Sequence, residues 1–146
     1  MRLNVREWTL ALRVCHFREA HCDLDFGCQT LLWADRIWMS RLADTAPPGG
    51  GIPESVSLYA DWGDLKRERK AFDAVMIDWA DRLDAASLAS ELAYYSGAIK
   101  AHLRKPKWLL VAHMFNHQTH HRGQVHCMLT QAGGRPGDTD LPFMPT

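Results

Sequence analysis

Histidine is the residue type whose distribution in this chain points most directly to chemistry. The chain of 146 residues holds 8 histidines, and His113, His117, His120, His121 and His126 fall in one short run. On a helix, at about 100° per residue, His113, His117, His120, His121 and Gln124 share an arc of about 100°. Leu110 and Met128 fall on the same stripe, whereas Arg122 and His126 project from the opposite side. The stripe is therefore expected to face the interior. A polar group buried there without a partner costs roughly 1–3 kcal/mol, so clustered imidazoles call for water or a shared ligand. A metal ion is one such ligand. His117 and His121 stand at i, i+4, so both rings can reach one ion at about 2.0–2.1 Å from each nitrogen. The plainer alternative is a pair of histidines satisfied by backbone and water. No HExxH motif accompanies the pair, so the general base of a zinc protease is missing.

The elements that must carry this stripe can be read from periodicity. Thr45–Pro53, TAPPGGGIP, breaks any helix or strand. Before it, Phe26–Leu42 reads as a helix with Leu31, Ala34, Trp38 and Leu42 on one face. After it, Asp61–Ala85 reads as a second helix, capped by Asp61 or Asp64, with Phe72, Val75, Met76, Trp79 and Leu83 at helical spacing. Ser90–Leu103 reads as a short hairpin turning at Ser96-Gly97. Pro106 suits the first turn of a last long helix that runs to Ala132 and stops at Gly133-Gly134. Val5–His21 offers a further helix of weaker pattern. The expected fold is all-α, a four-helix bundle with a short β-hairpin before the last helix, in a single domain over residues 1–146.

Composition narrows the function. Lys+Arg and Asp+Glu are 17 each, and no basic run supplies a local footprint for nucleic acid. No apolar run is long enough for a membrane span, and arginines interrupt every candidate signal segment near the amino terminus. Cys15, Cys22, Cys28 and Cys127 form no CxxC pair, so free thiols in the cytoplasm are the expectation.

The run FNHQTHHRGQVHCMLTQAG from Phe115 to Gly133, followed by DTDLPFM from Asp138 to Met144, resembles the carboxy-terminal signature of the DinB family. LLWADRIWMSRL from Leu31 to Leu42 is similar to that family's second helix, and KPKWLLVAHMFNH to the start of its fourth. The resemblance runs from about Leu31 to the end. It implies a damage-inducible, DinB/YfiT-like metal-binding four-helix bundle, distinct from the DNA polymerase of the same name. It also implies a homodimer, and a divalent ion (Zn, Ni or Fe) held by His117 and His121. Some relatives act with low-molecular-weight thiols as S-transferases or isomerases, so a thiol or another small molecule is the implied substrate.

The third ligand that the resemblance implies, a histidine on the second helix, falls at Thr30. Residues 1–30 depart from the family pattern, which suits either a shifted reading frame or misassigned start, or a true variant. Cys28, His113, His16, His21 and Cys22 are the candidate replacements, and none is favoured by spacing. Asp35 is expected to pair with an arginine at the bundle edge rather than to orient a ligand. Gln124 either holds neighbouring imidazoles or donates to a substrate, and Gly123 is expected to allow close helix approach. Arg122 is expected to point outward, and Trp33, Trp38, Trp62, Trp79 and Trp108 read as core or interface aromatics. Three functions compete: a metal-dependent enzyme, a non-catalytic metal-binding bundle, and a bundle whose site is broken at Thr30.

Overall fold

Three long helices carry the structure, a computed structural model that describes residues 22–137, with side chains from Gly27 onward. Helix α1 spans Cys22–Leu42, α2 Trp62–Asp81, the short α3 Ala85–Ala89 and α4 Lys107–Gln131. A 3-10 turn at Pro53–Ser57 precedes α2, and an antiparallel hairpin of β1 (Glu91–Ser96) and β2 (Ala101–Pro106) leads into α4. The helix expected over Val5–His21 and the tail from Asp138 lie outside the described residues.

Local chemistry sets most of the boundaries. Asp61 caps α2 by accepting from the Asp64 N–H at 3.0 Å. That helix does not run to Ala85 as its periodicity suggests. Asp84 accepts from the Ser87 N–H at 2.6 Å and starts α3 afresh, because an Asp side chain bonds N-terminal amides better than it sits inside a helix. Helix α1 begins at Cys22, earlier than the expected Phe26. The hairpin does not turn at Ser96-Gly97. Ser96 pairs with Ala101, leaving a four-residue loop, Gly97–Lys100, closed by Lys100 at φ 52°. Helix α4 ends in a Schellman motif: Gly133 adopts φ 84°, its N–H reaches the Thr130 carbonyl, and the Gly134 N–H reaches Leu129.

The core is formed by Leu32 and Met39 of α1, Leu65, Phe72, Met76 and Trp79 of α2, and Val111, Met114, Phe115, Val125 and Leu129 of α4. Gly27 lets α1 and α4 approach, since a Cβ there would meet Val125 Cγ2 at 3.3 Å. Gly123, expected in that role, has open space around it. Trp79 is in the core and Trp38 and Trp62 pack against it, whereas Trp108 is 56% exposed.

A polar network crosses this core. Asp35 of α1 is 1% exposed. Arg69 of α2 donates from Nη1 to Asp35 Oδ2 at 2.6 Å, and from Nε and Nη2 to Asp73. Gln118 of α4 donates from Nε2 to Asp35 Oδ1 at 3.0 Å. Asp35 thus pairs with an arginine as expected, but at the centre of the helices rather than the edge. Burial pushes the Asp73 carboxyl up to about 6, with Asp35 adding to the rise and Arg69 opposing it.

Removing one partner of a buried ion pair leaves the other charge uncompensated. Arg69→Met is therefore expected to lower the free energy of chemical unfolding by about 3–5 kcal/mol. Arg82→Ala, which breaks an exposed pair with Asp78, should leave it nearly unchanged. Similar losses in the two variants would contradict the role given to the buried pair. Between about pH 6 and the ordinary 3.8 of an Asp, folded Asp73 keeps a proton that the unfolded chain has released. This group's contribution to stability thus rises as pH falls through that window. Relative to the parent, Asp73→Asn should lose that rise in denaturation curves taken at successive pH values.

Candidate metal centre

The buried face of α4 consists of Leu110, Val111, Met114, Phe115, Gln118, Val125 and Leu129. The histidines lie along its flank rather than on it, a correction to the expected inward stripe. His113 and His120 are exposed, and His117 and His121 are half-buried at the border. The apolar positions take the interior because the histidines lose more solvation there.

His117 and His121 come together as their spacing requires. Their Nε2 atoms stand 3.1 Å apart. Two imidazole nitrogens, each about 2.0–2.1 Å from one ion and roughly 90–110° apart, would be separated by about 3 Å. The pair thus fits a chelating geometry, and it can equally share a proton as a hydrogen bond. His121 Nδ1 lies 2.7 Å from Gln124 Oε1. A carbonyl oxygen only accepts, so the proton sits on Nδ1 and the Nε2 lone pair is left available. This gives Gln124 the holding role. The His117 imidazole is pushed down to about 4 by burial and by the neighbouring His121, His113 and His120, so it is neutral near pH 7. A neutral ring is the form that binds a metal.

His117 also borders a cleft of about 910 Å³ between α1, the hairpin and the start of α4. Thr30 and His113 share its wall. The position that the family resemblance assigns to a third ligand therefore opens onto the same cleft as His117. Thr30 Oγ1 itself lies 3.4 Å from the Ser55 hydroxyl. Among the described residues, no three of His, Cys, Asp and Glu are grouped so as to hold an ion. Cys28 is in the core, and His113 stacks edge-on against Trp38 with ring centroids 5.0 Å apart. The side chains of His16, His21 and Cys22 lie outside the described set.

Two residues behind the pair were not singled out by spacing. Gln118 is 2% exposed and ties α4 to Asp35 immediately beside His117. Arg69 has the other end of that carboxylate. Their signal in the sequence is weak, because a Gln among histidines and an Arg inside KRERK both read as surface. Arg122, expected to point outward, is half-buried and donates to Thr119 Oγ1 at 3.1 Å. The attraction of Asp35 opposes the burial that lowers its pKa.

The model of the DinB family matches residues 51–146, and the chain belongs to that family. Helix α1 precedes the matched stretch, so Thr30 lies outside it. No curated protein and no solved structure matches the chain.

Gln118→Leu keeps the size of the side chain but removes the amide that meets Asp35. It is expected to cost about 1–3 kcal/mol in chemical denaturation. An unchanged midpoint would show that Asp35 does not depend on α4.

Proposed function

We propose that the chain is a divalent-metal-binding protein whose ion is held by His117 and His121, with the adjoining cleft receiving a small-molecule substrate. The observation that carries this reading is the 3.1 Å Nε2–Nε2 separation, with Gln124 orienting His121. Two imidazoles leave coordination positions for water or substrate, and these ligands suit Zn, Ni or Fe. An ion in such a setting lowers the pKa of a bound thiol or water. The chain's own residues do the rest. Gln124 holds the His121 tautomer, and Gln118, through Asp35, holds the turn of α4 on which His117 stands.

The family resemblance extends the reading to a metal-dependent S-transferase acting on a low-molecular-weight thiol, in a homodimer built from four-helix bundles. The second reading, a metal-binding bundle without turnover, is favoured by the Thr at position 30, which supplies no third imidazole.

Metal content by mass spectrometry, on protein made without a polyhistidine tag, tests the site. About one ion per chain is expected, and none in a His117→Ala/His121→Ala variant that keeps its helical circular dichroism. No ion after Zn or Ni loading, or equal loading of the variant, would overturn the proposal. Thr30→His should tighten Zn binding by about tenfold or more, since even outer-shell partners contribute roughly 10–100-fold. A variant no tighter than its parent would show that position 30 does not reach the ion.

A further inference from the structure

Several arginines among the described residues are paired with carboxylates. Arg36, Arg67, Arg69, Arg82 and Arg104 each meet a carboxylate. Arg41, in the last turn of α1, meets none among the described residues. Its guanidinium lies 4.8 Å from the ring centroids of both Trp38 and Tyr94. One of its five N–H groups is engaged, at 3.3 Å to the Tyr95 carbonyl. Stacking on two aromatic rings fixes the plane of the fork without neutralising it.

Arg41 lines the 910 Å³ cleft, and so does Lys105 of β2. Its ammonium likewise meets no carboxylate among the described residues, and Lys105 is exposed. Among the described residues, those lining the cleft include no Asp or Glu. The nearby Glu54 is turned to the Gly51 N–H, at 2.7 Å. Its walls also include the apolar side chains of Trp33, Ile37, Trp38, Leu109 and Leu110. The volume is in the range of small-molecule sites.

We propose that this cleft binds a small organic carboxylate with an apolar body, its carboxylate on Arg41 and Lys105 and its far end toward His113 and His117. A rigid guanidinium edge matches a planar carboxylate, and an ammonium supplies the second charge. A phosphate would be better served by a cradle of backbone N–H groups, and the Gly51 N–H is already engaged by Glu54. Binding of the anion does not require an ion at His117 and His121. That the anion is the substrate rests on the reading above.

Calorimetric titration separates the two. Cinnamate, cinnamyl alcohol and phenyl phosphate are titrated into full-length protein treated with a chelator, and into the His117→Ala/His121→Ala variant. Cinnamate should saturate one site per chain in both, with the alcohol weaker by roughly tenfold, the factor that corresponds to one charge-assisted contact. Arg41→Met should weaken cinnamate by about the same factor and leave the alcohol unchanged. Arg41→Lys, which keeps the charge but loses the fork, should fall between, and thermal melts confirm that each variant is folded. Equal binding of cinnamate and the alcohol, tighter binding of phenyl phosphate, or an unaffected Arg41→Met would overturn the proposal. Failure here with metal still bound stoichiometrically would leave the metal site standing.

Discussion

A carboxylate enclosed among helices must be met by donors, and meeting it joins three segments that are far apart in sequence. Asp35 lies in the middle of α1 and accepts from Arg69 on α2 and Gln118 on α4. Burial alone would push its proton affinity up, and the two donors oppose that rise. Apolar contacts between helices tolerate sliding and rotation, whereas a bidentate acceptor with donors on both sides does not. The Asp35 carboxylate therefore sets how α4 is turned as well as where it lies.

That rotation has a consequence for the histidines. With Gln118 facing Asp35, the preceding His117 is carried to the border of the buried face and His121 stacks one turn further on. His117 is buried enough for its ring to be neutral and open enough to border the cleft. A rotation of α4 by one residue in either direction would bury the imidazoles among apolar side chains or release them to solvent. The buried network thus fixes the orientation of this stretch of α4.

The chain showed much of this before its structure. The i, i+4 spacing of His117 and His121, the break at Thr45–Pro53, the hairpin and the glycine stop after Ala132 all follow from local rules, and the structure has each of them. What was not legible depends on other segments. Arg69 sits in a charged run that looks solvated, and only the position of α1 against α2 makes it a buried partner. The apolar ends of the histidine stripe predict that it faces inward, but Val111, Phe115 and Gln118 define a different inner face. The extension of α2 to Ala85 failed because periodicity does not register a capping side chain such as Asp84. Thr30 lines the same cleft as His117.

The central claim is that His117 and His121 bind one ion together through nitrogen. X-ray absorption at the metal edge of the zinc-loaded protein tests it most directly. The expected spectrum has two imidazole shells with zinc–nitrogen distances of about 2.0–2.1 Å, the remaining positions being filled by light atoms. A spectrum without imidazole scattering, or one unchanged in the His117→Ala/His121→Ala variant, would contradict it.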